Sequence, residues 1–202
     1  MKEAPYRARL VDYIRREARP PDKFSHQGRL YALAAKIARG RPIDDDVLFA
    51  SAWLHDLGVF IGHRPQGLKA LAAWDNVAYA MRKAPAILKR LGFPPQKIRA
   101  VTEAIRTHQP AAKPTTNEGM VLRDADILEQ LGAVSILRTV SKVGRDTRFT
   151  RFSDALNVLE RNLQELPKQL RFPTARRLAR ARVAALKRFL KAAEKEAMNL
   201  EW

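Results

Sequence analysis

One feature narrows the possible folds more than any other: apolar residues recur at helical spacing along nearly the whole chain. Gly and Pro fall between the periodic stretches, and the alternating pattern of a half-buried strand is missing. The chain therefore reads as all-α. A first helix covers roughly 5–18 and stops before Pro20–Pro21. A second starts near Ser25, a candidate N-cap, and ends at Gly40. Asp44, Asp45 and Asp46 mark the start of a third, where negative charge suits the helix dipole, and Gly58 marks its end. The loop GVFIGHRPQG follows. The next helix begins at Leu68 or Trp74 and runs to Leu91, with Gly92 as its cap. Pro94–Pro95 open a helix reaching His108, and QPAAKPTTNEG is a loop. A helix from about Met120 continues past Gly132 to Ser141, KVGRDTRFTRF is a polar link, and helices near 153–165 and 174–197 close the chain, the last capped by Thr174.

With 202 residues, 46% of them apolar, the chain suffices for one domain with a full core. It has no cysteine, which excludes a disulfide framework and thiolate chemistry. The opening stretch MKEAPYRARLVDYIRREARPP is too charged for a secretory signal, and no run approaches the roughly 18–20 apolar residues of a membrane helix. A cytoplasmic protein with no membrane partner is expected. The formal net charge of +17 favours anionic partners.

The four histidines are His26, His55, His63 and His108, and three of them lie on apolar helix faces. His26 shares its face with Leu30, Leu33 and Ile37. His108 shares one with Ile98, Val101 and Ile105, and His55 follows Ser51, Ala52 and Leu54. Side chains on such faces point inward, and buried polar groups need partners. One inward histidine is commonly a satisfied core residue. Three of them, with Asp56 and a further acid in LRDADILEQLG, fit a divalent metal site of imidazole and carboxylate ligands. His55 and Asp56 stand about 100° apart on an unbroken helix, so both reach one ion only near a helix end, which Gly58 supplies.

The ordered set of His26, the His55–Asp56 pair and an acid in DADILEQLGA, on successive helices, resembles the HD-domain superfamily of metal-dependent phosphohydrolases. LHDLG, AILKRLGFPPQKIRAVTEAIRTH and the closing TARRLARARVAALKRFLKAAEKE resemble its small bacterial members. The resemblance spans roughly 22–195. It implies a single-domain HD-type helical bundle with a basic C-terminal helix: an N-terminal helix in 1–21 packed on the body, the metal-binding part in 22–145, and C-terminal helices of the same domain in 146–202. It implies His26, His55, Asp56 and Asp126 as ligands of one divalent ion (Mn, Mg, Co, Ni, Zn or Fe). Asp56 and His108 become the catalytic pair. Asp124 and Asp75 stand behind the ligands or replace one. Members with two metals carry another His about twenty residues after the pair, where this chain reads WDNVAYA, so one ion is expected and the di-iron oxygenase branch is disfavoured.

The implied activity is hydrolysis of a nucleotide or other small phosphate ester. Such a substrate needs cationic partners, for which Arg29, His63, Arg64, Lys142, Arg145 and Arg148 are candidates. The alternative is a non-catalytic, metal-stabilised module that binds nucleic acid or a nucleotide through its basic surface. That alternative draws on the last helix and the residues just before it: between Arg171 and Lys191 stand Arg171, Arg176, Arg177, Arg180, Arg182, Lys187, Arg188 and Lys191, with no acid. Non-specific nucleic acid is therefore a candidate partner.

Overall fold

The computed structural model describes residues 4–197, so residues 1–3 and 198–202 lie outside the description. The described chain is all-α, with ten α-helices and no β-strand among the described residues; one isolated bridge joins Ile61 and Arg64. The helices are α1 (Pro5–Glu17), α2 (Phe24–Ala38), α3 (Asp45–Leu54), α4 (Leu68–Ala72), α5 (Asn76–Arg90), α6 (Ile98–Arg106), α7 (Asn117–Glu129), α8 (Ala133–Val140), α9 (Phe152–Gln169) and α10 (Pro173–Glu196). They fall into two compact units that divide between Ala125 and Asp126.

The first unit is organised by α3. Every residue from Val47 to Leu54 is buried, as expected of a helix that is apolar all round. Helices α1, α2 and α6 pack against it, and α5 packs on α6. Tyr6 of α1 meets Phe93 edge-on at 4.9 Å between ring centroids, and Tyr31 of α2 meets Phe49 at 5.0 Å. Asp44 accepts hydrogen bonds from the Asp46 and Val47 amides and so caps α3.

The acids at that cap also bind distant cations. Arg7 pairs with Asp45 at 2.7 Å and Asp46 at 3.0 Å, and Lys97 reaches Asp44 and Asp46, each at 2.8 Å. The Tyr6 hydroxyl donates to Asp46 as well. Partial burial alone would raise the Asp46 pKa, but the hydrogen bonds from Lys97, Tyr6 and Arg7 outweigh it and hold the carboxyl well below its usual range.

In the second unit α8, α9 and α10 pack on one another. The expected single helix over 120–141 is broken in two. Gly132 has φ of +87°, a left-handed conformation that ends a helix and suits glycine. A Cβ there would lie 3.0 Å from the Arg182 Cβ. Arg182 also donates from Nη1 to the carbonyl of Leu128 at 2.8 Å, joining the Leu131 amide, which donates to the same carbonyl at 3.2 Å beyond the end of α7.

Other ends moved too. A 3-10 turn at Pro21–Lys23 leads straight into α2, so Ser25 lies inside the helix rather than at its cap. Helix α3 stops at Leu54, four residues before Gly58. Helix α10 starts on Pro173, whose missing N–H costs nothing at a first helical position, so Thr174 is helical and Phe172 takes the cap.

Because the Asp46 pKa is depressed on folding, its contribution is present above the unfolded value of about 3.9 and is lost as pH falls below it. Asp46→Asn should cost about 1–2 kcal/mol at pH 7 and less at pH 3, the remainder being lost only as pH falls on through the depressed folded value. Urea titrations at the two pH values check this; an equal cost at both would show that charge plays no part.

Candidate metal centre

The centre is built from two helix ends and one helix start. His26 lies in the first turn of α2, His55 is the C-cap of α3, and His108 follows the end of α6. The last carbonyls of a helix have no partner within it, and two of these histidines use them. Nδ1 of His55 lies 3.0 Å from the carbonyl oxygen of Ala52, and Nδ1 of His108 lies 2.6 Å from that of Ile105. A carbonyl only accepts, so both Nδ1 atoms carry hydrogen. Each neutral ring then presents the lone pair of Nε2. Nε2 of His55 is buried and has no hydrogen-bond partner.

Ending α3 at Leu54 is what lets neighbours converge. His55 keeps helical angles, whereas Asp56 departs to φ −97° and ψ 13°. Oδ2 of Asp56 lies 3.6 Å from Nε2 of His55 and 3.6 Å from Nε2 of His26. These gaps are too long for hydrogen bonds. They match two ligands that each stand about 2.1 Å from a shared ion. One donor atom from each of His26, His55 and Asp56 lies within 4.8 Å of the other two. The His26 and His55 rings are 5.3 Å apart by centroid, and the His55 and His108 rings 4.9 Å.

The donor set thus fits a divalent cation: two imidazoles, one carboxylate, and a buried Nε2 that nothing in the protein satisfies. Burial alone would raise the Asp56 pKa. The imidazoles of His55, His26 and His108, with Lys23, outweigh it and hold the carboxyl far below its usual range, ionised as a ligand must be.

Two features around the turn were missed in the sequence. Lys23 is a further group that lowers the Asp56 pKa; its only signal is its position three residues before His26 in a Pro-led turn. Trp74 donates from its indole N–H to the Gly58 carbonyl at 2.8 Å, tying the turn to the segment before α5. Gly58 itself packs so closely on that segment that a Cβ would lie 2.5 Å from the carbonyl oxygen of Asn76. The glycine is required by contact, where the sequence suggested only a helix stop.

The remaining candidates are placed as follows. Asp75 caps α5 by accepting from the Ala78 amide at 2.9 Å. Asp124 of α7 is fully buried, with Oδ1 4.0 Å from Nη1 of Arg123. Asp126 belongs to the second unit, where Gln130 donates to its Oδ2 at 3.0 Å. Arg29 donates to the Ser25 hydroxyl at 2.9 Å, and Arg64 is half-buried in the bridged loop after the turn. His63 is half-buried, with Nε2 2.8 Å from Glu17 and Nδ1 3.0 Å from the Tyr79 hydroxyl. In the second unit the Lys142 ammonium sits 5.0 Å from the centre of the Phe149 ring. Arg145 donates to the Ser141 carbonyl, and Arg148 pairs with Asp146 at 2.8 Å.

The HD-domain family model matches residues 24–131, a span that holds all of His26, His55, Asp56, His108, Asp124 and Asp126. The chain belongs to the HD-domain family. Solved structures of similar fold include a predicted HD-superfamily hydrolase from an uncultured Thermotogales bacterium, 25% identical, with a TM-score of 0.66 over 95% of this chain and 93% of that one. An HD-superfamily hydrolase from Bacillus thuringiensis is 19% identical, with a TM-score of 0.69 over 96% of this chain and 97% of that one. YpgQ of Bacillus subtilis, solved in complex with ADP, is 20% identical, with a TM-score of 0.70 over 96% of this chain and all of that one. No curated protein matches. This chain therefore has the fold of the HD-superfamily hydrolases, with a divalent-metal site available at His26, His55 and Asp56, and no described helix is long and apolar enough to cross a membrane.

Gly58→Ala should push the Asn76 backbone away from the turn, lower stability by about 1–3 kcal/mol and weaken metal binding. Thermal unfolding with and without added Mn²⁺ measures both. An unchanged melting temperature in each condition would remove the close packing from the account of the site.

Proposed function

We propose that this HD-domain protein is a metal-dependent phosphohydrolase acting on a nucleotide or another small phosphate ester. One observation carries the reading: donor atoms of His26, His55 and Asp56 converge within 4.8 Å of one another, as ligands of one cation would, with the His108 ring beside that of His55. The nucleotide class draws support from the ADP held by the similarly folded YpgQ.

In this reading His26, His55 and Asp56 hold the ion, and Asp126 is the fourth ligand. A single ion is proposed because the carboxylate of Asp75 is already engaged in capping α5. A bound divalent ion lowers the pKa of water and polarises a phosphoryl oxygen. Asp56, ionised by its imidazole neighbours, accepts the proton released from the attacking water. His108 keeps Nδ1–H on the Ile105 carbonyl and presents Nε2 to the phosphate, as a general acid when protonated there. Arg29, one turn after His26, and Arg64 neutralise the substrate's charge, with His63 placing the loop that carries Arg64. Lys142, Arg145 and Arg148 of the second unit are further candidates for the same task.

Elemental analysis, with a panel of nucleotides and simple phosphate esters, tests these roles. His55→Ala and Asp56→Ala should lose both metal and hydrolysis. His108→Ala should keep the metal but turn over about 10²–10⁴-fold more slowly. Asp126→Ala should lose metal where Asp124→Ala keeps it; the reverse would move the fourth ligand to Asp124. Full activity in a metal-free Asp56→Ala protein would overturn the proposal.

A further inference from the structure

Helix α10 holds a feature the metal centre does not use. At 100° per residue, Arg176, Arg177, Arg180, Lys187, Arg188, Lys191 and Lys195 all fall within an arc of about 120°. All seven are exposed. From Arg176 to Lys195 the row is about 28 Å long at 1.5 Å per residue. Over that length the arc contains only two other residues, Ala184 and Glu194.

The opposite side of the helix is fixed in place. Ala175, Ala179, Leu186 and Leu190 are buried, and α10 packs on α8 and α9. Arg182, whose position falls outside the arc, is turned inward onto the Leu128 carbonyl. Arg176 donates from Nε to the Leu170 carbonyl at 3.0 Å, and no described carboxylate pairs with any of the seven cations. Several stand four residues apart, as Arg176–Arg180, Lys187–Lys191 and Lys191–Lys195, and like charges at that spacing destabilise a helix. A polyanion laid along the row would relieve this repulsion.

We propose that the outer face of α10 binds the phosphate backbone of a nucleic acid, without reading its sequence. The length of the row points to a polymer, since one phosphate engages only one or two cations. No aromatic side chain stands in the arc to stack a base, and contacts to phosphate alone carry no sequence information. The face is ill suited to an anionic membrane: an interfacial helix inserts Trp, Phe or Leu beside its cations, and the apolar residues of α10 face into its own unit. This surface is independent of the metal centre and of any hydrolysis there.

Fluorescence anisotropy with labelled 20-nucleotide probes tests the proposal, using duplex RNA, duplex DNA and single strands across a salt series. If about five cations meet phosphates, log K against log salt should fall with a slope of about −4.5 on a duplex. The quadruple variant R180A/K187A/R188A/K191A should bind at least about tenfold more weakly at 100 mM salt, with a slope shallower by about 3–4. All four positions are exposed and Ala favours helix, and a circular dichroism melt verifies the fold. If that variant melts early, the corresponding Gln variant provides the same comparison. A row that binds duplexes and single strands alike supports the proposal, as does one that prefers either. The proposal is overturned by no binding at 20 mM salt, by a quadruple variant that binds as the native protein does, or by phosphatidylserine vesicles held as tightly as the nucleic acids.

Discussion

Two hydrogen bonds at helix ends set the character of the centre: Nδ1–H of His55 to the Ala52 carbonyl and Nδ1–H of His108 to the Ile105 carbonyl. A buried imidazole without partners is costly, and one that can turn over makes a poor ligand. Using a carbonyl that the helix end has left open removes both problems, since the bond fixes the tautomer and the ring orientation together. The ring then has no freedom to satisfy its other nitrogen within the protein. The Nε2 of His55 is left buried and bare because its other nitrogen is so well placed.

That arrangement needs helices that end at fixed points, and the ends are set by packing more than by local sequence. Helix α3 carries no polar face to register it, so its position comes from α1, α2 and α6 and from the ion pairs of Asp44, Asp45 and Asp46 with Arg7 and Lys97. Its end at Leu54 separates the directions of His55 and Asp56 from helical geometry. The turn beyond is pressed against Asn76 through Gly58 and held by Trp74. The geometry at Asp56 thus depends on the packing of a glycine two residues further along the chain.

This explains which parts were legible in the sequence. The all-α class followed from periodicity, and the core of the site followed from a violation of it: His26, His55 and His108 sit where leucine would be expected. Such violations are visible in one dimension because they contrast with their neighbours. Helix ends are not, because distant groups set them. Ser25 has the chemistry of a cap but lies beneath a 3-10 turn that makes the cap redundant. Gly132 breaks a helix whose apolar pattern continues through it, in a place where Arg182 comes from 54 residues away to bond the Leu128 carbonyl. Lys23 acts on Asp56 through space alone.

The same distinction applies to positive charge, which composition presents as one undivided excess. Arg7 and Lys97 are bound to the acids of α3, Arg182 caps α7, and Arg148 is bound to Asp146, where the guanidinium, against the opposing effect of burial, lowers the carboxyl pKa to about 2. These cations are structural, and each has a fixed partner in its own unit. The outer row of α10 differs in kind: it repeats at helical spacing, it faces solvent, and the helix beneath it is anchored by alanine and leucine on the other side. Charge that is neutralised locally stabilises a fold and does little at a distance. Charge held in a rigid, unneutralised row costs the helix some stability and produces a field extending about a Debye length, roughly 8 Å, into physiological solution. A net charge of +17 therefore includes cations held by local partners and a solvent-facing row left available to another molecule.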